Sequence, residues 1–195
     1  MTLLDPNHAE AQIATGITFR DERRFADAES AFNKALEIEP HNSEVYLQLS
    51  VLYGEDGRWE ESLATARKLV ELQPSAEVGY YAMSAACREL NLHSEAINAC
   101  NQALHLSPNS FPALEGLAWA YGEMGKYAES VDAINRAIAI KPELPYLHAW
   151  LAQAHVEIGN LSEAIAEQKI LAKLDTELAC QVDAFIKEKR SETAS

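Results

Sequence analysis

Hydrophobic and small residues along this chain neither alternate, as strands require, nor keep a heptad; they return in columns 34 residues apart. Pro40, Pro74, Pro108 and Pro142 mark the period, and the next position in register is Thr176. Cutting in that frame gives five units, 9–42, 43–76, 77–110, 111–144 and 145–178. Counting from the first residue of each, position 8 is Gly16, Ser50, Ser84, Ala118 and Ala152, and position 20 is Ala28, Ser62, Ala96, Ser130 and Ala164. Two small columns predict two helices per unit whose backbones approach closely. Position 30 is aliphatic in every unit (Ile38, Leu72, Leu106, Ile140, Leu174), and it is expected to fill the space around those helices.

Each unit reads as helix, tight turn, helix. Position 15 is Gly57, Gly125 and Gly159 in three units and Asn91 in a fourth, residues that readily take a left-handed helix stop; the first unit departs with Arg23. Position 19 is Asp27, Glu61, Glu95, Glu129 and Glu163, carboxylates that suit the positive end of the second helix. The proline at position 32 then ends that helix. Beyond the fifth unit, Leu178, Val182, Phe185 and Ile186 share one helical face, and Lys187, Lys189 and Arg190 suit a helix C-terminus. A C-terminal helix over 179–190 is expected to cover the last unit, with residues 1–8 as a lead-in and 191–195 as a disordered tail. Thr15 and Thr18 soften the first helix.

Composition narrows the function. Of 195 residues, 48% are apolar and 24% charged, which supports a buried core. The net charge of −14 argues against nucleic acid or an anionic membrane as partner. Three cysteines do not make a disulfide framework. With no signal-peptide pattern and no spanning apolar run, a cytoplasmic location without membrane insertion is expected.

The columns resemble the tetratricopeptide repeat (TPR) family over about 170 residues. The first unit carries Gly16, Phe19, Ala28, Phe32, Ala35 and Pro40; the second Tyr46, Leu49, Tyr53 and Pro74; the fourth Leu117, Ala118, Tyr121, Ala137 and Pro142. Leu69, Leu171 and Gln168 depart from the pattern. The resemblance implies an all-α, right-handed α-solenoid (superhelix) of five helix-turn-helix units plus the C-terminal capping helix. It also implies a protein-binding function with no cofactor.

The residues offer little catalytic chemistry. Gly54–Gly57 encloses two carboxylates and reads as a turn, not a phosphate loop. His148 and His155, seven residues apart on one helix, stand about 10 Å apart along its axis, too far to share a metal. They and Cys87 and Cys100 occupy positions that the family packs inward; Cys180 has no evident partner. Asn160-Leu161-Ser162 matches a glycosylation acceptor, a pattern common by chance. Neither an enzyme nor a metal site is expected.

In the family, the first helices line a concave groove. The carboxylate clamp of chaperone-tail-binding members is absent here, its places holding Ile13, Ile17, Gln48, Val78 and Ala82. The asparagine ladder of the nucleocytoplasmic sugar transferase is replaced by Ala14, Gln48, Ala82, Gly116 and Trp150. The resemblance instead gives a groove of Ile13, Ile17, Leu47, Val51, Tyr81, Trp119 and Tyr146, either a contact surface or partly packed against the next repeat. Position 13 is acidic five times in five, Asp21, Glu55, Glu89, Glu123 and Glu157. Such charges are unfavourable by roughly 0.3–1 kcal/mol at a helix C-terminus. Arg24, Arg58 and Lys126, three places on from the first, second and fourth, recover only about 0.2–0.5 kcal/mol each. The column is therefore either inherited from a duplicated ancestor or an acidic rail interrupted by Arg20 and Arg88. The functional expectation is a monomeric, non-catalytic interaction module that binds a partner peptide or helix with apolar anchors and basic flanks. The alternative is a fixed structural subunit that docks through its convex face or an edge.

Overall fold

The structure, a computed structural model, describes residues 8–193. All regular structure among them is helical: α1 (Ala9–Asp21), α2 (Phe25–Ile38), α3 (Ser43–Glu55), α4 (Trp59–Leu72), α5 (Glu77–Glu89), α6 (His93–Leu106), α7 (Phe111–Glu123), α8 (Tyr127–Ile140), α9 (Pro145–Glu157), α10 (Leu161–Leu174) and α11 (Thr176–Thr193). The expected lead-in through Asn7 and the last two residues of the expected tail lie outside the described residues. α11 runs longer at both ends than the 179–190 span. It starts early because Asp175 caps it, accepting the Leu178 N–H at 3.0 Å.

The turns obey one rule. Gly57, Gly125 and Gly159 have φ of 76°, 69° and 82°, and Asn91 and Arg23 take the same left-handed conformation at 57° and 59°. Arg23 therefore does a glycine's work with a side chain attached.

The chain forms two compact units, one through Glu95 and one from Ala96. In the first, Phe32 is the largest fully buried side chain of a core that includes Val45, Leu49, Leu52 and Tyr53. Gly16 lets α1 lie directly on that ring: a Cβ there would stand 2.5 Å from Phe32 Cε1. Ser62 Oγ donates to the Ser50 carbonyl at 2.8 Å, so the small columns bring α3 and α4 together with their hydroxyl satisfied. Leu69, oversized for its position, is accommodated by Gly79, whose added Cβ would be 3.3 Å from Leu69 Cγ.

In the second unit, Leu114, Ile134 and Leu147 are fully buried. Leu171 joins Ala179, Val182 and Ile186 in a cluster where α11 packs on α9 and α10. Gln168 Nε2 reaches the Ala179 carbonyl at 3.5 Å. Ser130 Oγ repeats the serine arrangement, donating to the Ala118 carbonyl at 2.8 Å.

The aliphatic column at position 30 corrects the expectation. Ile38, Leu106, Ile140 and Leu174 are 44%, 37%, 40% and 41% exposed. Each ends or nearly ends its second helix, past the last turn that the neighbouring helix covers. The inner space is filled by position 27 instead, where Ala35, Leu69, Ala103, Ala137 and Leu171 are all buried.

A latch closes several inter-repeat corners. The hydroxyls of Tyr46 and Tyr80 donate to the Pro40 and Pro74 carbonyls at 3.0 and 3.1 Å, and His148 Nε2 lies 3.0 Å from the Pro142 carbonyl. Leu114, at the matching place, has no donor, and Arg136 Nη2 serves the Pro108 carbonyl at 3.0 Å. Each latch satisfies a carbonyl freed where proline ends a helix.

Candidate functional site

The first helices carry the residues that sequence singles out, and the two units treat them differently. In unit 1, Ile13 and Ile17 pack against the Phe32 core and are half-buried. Leu47 is half-buried and Val51 exposed. Tyr81, half-buried, donates its hydroxyl to Glu77 one turn earlier. The acidic residues of this unit, Asp21, Glu55 and Glu89, are exposed.

The basic partners of that column are not those expected from spacing. Arg24 pairs with Asp27 at 2.7 Å and Glu22 at 3.2 Å, and Arg58 with Glu29 at 2.7 Å and Glu61 at 2.9 Å. Asp21 is met by Arg20 at 3.0 Å and Glu89 by Arg88 at 3.2 Å.

Arg58 and Glu29 instead build a polar cover over the core. Glu29 accepts from Arg58 and from the Tyr53 hydroxyl, at 2.7 and 2.9 Å, while the Arg58 guanidinium lies 4.4 Å from the Tyr53 ring centroid. The Arg58 hydrogen bond holds the Glu29 carboxyl below the ordinary range, with help from Tyr53 against partial burial. Burial first, then the Glu29 hydrogen bond, pushes the Tyr53 phenol up to about 12.

In unit 2 three of the singled-out residues meet. Trp119, Glu123 and Glu157 line a cavity of about 360 Å³ together with Trp150 and Phe185. That volume falls within the roughly 300–1,000 Å³ of ordinary ligand pockets. Its floor is small, made by Ala118, Gly122 and Ala154, so the position that would fill it carries no side chain. α7 supplies Trp119 and Glu123 one turn apart, α9 supplies Trp150 and Glu157 seven residues apart, and α11 brings Phe185.

Tyr146 supports this wall without lining it. Its ring stands edge-on to Trp150 with centroids 5.2 Å apart, and its hydroxyl donates to Glu115 Oε1 at 2.6 Å. Desolvation, then that carboxylate, raises the Tyr146 phenol above its ordinary value. Glu123 and Glu157 are exposed at the rim, and Lys189 of α11 lies 4.0 Å from Glu157.

Trp150, Gln153 and Phe185 also line the cavity, and the sequence alone does not single them out as site residues. In the sequence Trp150 reads as a break in an asparagine column, and Phe185 as part of the apolar face of the last helix. A usable signal exists: Trp119 and Trp150 both fall on first helices with alanine at positions 8 and 10.

His148 is buried, its Nδ1 2.7 Å from Glu167 Oε2, so it ties α9 to α10. Cys87 and Cys100 are buried and Cys180 is exposed. Among the described residues, no three His, Cys, Asp or Glu converge on a possible metal position, and no helix is long and apolar enough to cross a membrane.

Comparison with known proteins places this architecture. The curated proteins contain no match. Among solved structures, MamA superposes with a TM-score of 0.81 at 24% identity, covering 88% of this chain and 93% of MamA. YrrB, described as a TPR protein with an unusual peptide-binding site, gives 0.80 at 14% identity over 92% and 94% of the two chains. MamA from Desulfovibrio magneticus RS-1 gives 0.81 at 15% identity over 87% and 96%. At these identities the likeness shows the fold alone, an all-α helical-repeat solenoid. Two tetratricopeptide repeat profiles match residues 19–86 and 115–177. Together they span most of the chain, which belongs to the tetratricopeptide repeat family, whose members are typically non-catalytic protein-interaction modules.

Proposed function

We propose that this protein is a non-catalytic adaptor or assembly factor that captures a partner segment on the first helices of its repeats, with apolar anchors and basic flanks. The observation that carries this reading is the unit-2 cavity, where two tryptophans stand beside two exposed carboxylates. Aromatic side chains in a concave, partly desolvated place are the usual anchors of binding energy, worth roughly 2 kcal/mol or more apiece. The carboxylates at the rim add orientation and attraction for a basic flank. The first helices of unit 1 present Val51, Leu47 and Tyr81 with Asp21, Glu55 and Glu89, again apolar side chains beside exposed carboxylates.

Selection of random displayed peptides on the full chain tests this. Enriched peptides are expected to combine hydrophobic and basic residues and to lose binding to a folded Trp119→Ala/Trp150→Ala variant. Peptides held equally by that variant would move the binding surface elsewhere. The exposed aliphatics Ile38, Leu106, Ile140 and Leu174 favour a second reading, docking through outer helix ends as a fixed subunit. Under it, Ile140→Asp would abolish association while the tryptophan variant would not.

A further inference from the structure

The duplicated repeats show what the unit-2 cavity lacks. In the first repeat, position 12 is Arg20, whose Nη1 donates to Gln48 Oε1 at 2.5 Å and Nη2 to Asp21 Oδ1 at 3.0 Å. Gln48 is position 6 of the next repeat and Asp21 is position 13 of the same one. The Arg20 side chain is only 17% exposed, so unit 1 holds a guanidinium of its own between α1 and α3.

In the fourth repeat the same three places hold Gly122, Trp150 and Glu123. The arginine is missing and the space is open: a Cβ at Gly122 would meet only Ser130 Oγ, at an unstrained 3.7 Å. The second repeat also has glycine there, but the Trp59 ring covers Gly54, 3.1 Å from where a Cβ would stand. A carboxylate at position 13 is common to all of these repeats.

The surroundings of the open place suit a cation. Trp119, Trp150 and Phe185 offer aromatic surface, and Glu123 and Glu157 offer charge. One ammonium of the chain already sits at the edge, Lys189 Nζ, 4.0 Å from Glu157 Oε1 and 6.0 Å from the Phe185 ring centroid. A flat, weakly hydrated guanidinium stacks on indole faces better than a compact ammonium does.

We propose that this cavity takes the guanidinium of an arginine carried by a segment of a partner protein, the group that the first repeat supplies from its own Arg20. Trp119 and Trp150 provide the stacking surfaces, Glu123 and Glu157 the counter-charges, and Lys189 is the resident cation that the ligand displaces. The assignment rests on reading the unit-2 face as a partner-binding surface and goes beyond it by naming the side chain recognised.

The three tryptophans give three indole N–H signals, with Trp59 in unit 1 as internal control. The full chain is titrated with N-acetyl-arginine methylamide, its citrulline counterpart and its leucine counterpart. The arginine compound is expected to shift the Trp119 and Trp150 indole signals saturably and leave Trp59 in place. The citrulline compound, equal in shape but uncharged, is expected to bind about tenfold or more weakly, since cation–π and carboxylate contacts are both lost. Gly122→Leu should not bind, and Lys189→Gln should bind severalfold more tightly. If Gly122→Leu fails to fold, the exposed pair Glu123→Gln/Glu157→Gln decides, with an expected loss of about tenfold. Citrulline or leucine compounds that bind as well as arginine at the same indoles would overturn the arginine assignment and leave the partner-binding face standing. No saturable shift from any of the three would overturn both.

Discussion

The two compact units are built from the same repeat, yet the first closes its inner space and the second leaves it open. In unit 1 the space beside Gly16 is occupied by Phe32, and that beside Gly54 by Trp59. In unit 2 the space beside Gly122 is a cavity. Glycine in a helix thus has two opposite meanings here: at Gly16 it makes room for a neighbour, at Gly122 it leaves room for something outside the chain. Gly16 stands at position 8, where Phe32 at position 24 meets it; Gly54 and Gly122 both stand at position 12, where Trp59 covers the first while Tyr127, at the place matching Trp59, lines the cavity beside the second.

Paired alanine substitutions break that comparison most directly, and they carry the largest expected effect. Gly16→Ala forces a methyl against a fully buried ring and is expected to cost about 1–3 kcal/mol, the usual penalty of overpacking. Gly122→Ala meets only a serine oxygen at ordinary distance and is expected to gain up to about 1 kcal/mol from helix propensity. Urea unfolding read from Trp59 for the first change and from Trp119 and Trp150 for the second separates the units. Equal destabilisation by both would mean that the two glycines serve one packing role.

A second contrast is electrostatic. In unit 1 a tyrosine and an arginine share one carboxylate, Glu29; in unit 2 Glu115 accepts from Tyr146. Glu29→Gln is expected to cost about 0.5–1 kcal/mol, a charge-assisted pair discounted for its solvent exposure. The Glu29 carboxyl is held below its unfolded value of about 4.3, so its contribution is complete above that pH and is lost as acid titrates through the lower folded value. Stability curves of parent and Glu29→Gln should therefore converge on acidification below about pH 4. Parallel curves would show that Arg58 contributes through its stacking on Tyr53 alone.

At the alkaline end the sign reverses. The Tyr53 phenol is raised to about 12, so the stability held by its neutral hydroxyl is complete below the unfolded value of about 10 and is lost as pH climbs toward 12. Phenolate absorbance should show Tyr53 and Tyr146 ionising later than a free phenol, and Glu29→Gln should bring Tyr53 earlier while leaving Tyr146 unchanged. Tyr53 ionising like a free phenol would remove it from the network.

The helices, their turns and the two small columns were legible in the sequence because backbone demands repeat: close approach at positions 8 and 20, a left-handed stop at 15, proline at 32. The acidic column and Trp119 were legible for the same reason, as residues at a fixed place in the frame. What could not be read was the complement between repeats. Position 30 is aliphatic in every unit but mostly exposed, since a column's chemistry does not say how far the neighbouring helix reaches. Trp150 and Phe185 enter the site because α9, on which α11 packs, borders the same cavity as α7, a tertiary relation that no single frame displays. Arg20 read as an interruption of the acidic rail; only its bond to Gln48 shows it filling the place that Gly122 leaves open.

The smallest expected effect concerns the turns, where the five repeats differ at one residue. Arg23 holds φ at 59° where three repeats use glycine. A side chain in that conformation costs about 1 kcal/mol, which glycine would recover. Against this, the Arg23 guanidinium lies 5.5 Å from the Phe25 ring centroid, an exposed cation–π contact worth about 0.5 kcal/mol. Arg23→Gly is therefore expected to stabilise unit 1 by about 0.5 kcal/mol net. Arg23→Asn, the residue that the third repeat places here as Asn91, keeps the conformation accessible without the ring contact and should fall between the two. Shifts in the urea midpoint at constant slope measure both. A loss of stability in Arg23→Gly would mean that the contact with Phe25 outweighs the strain, and that the first repeat departs from its siblings for a packing reason of its own.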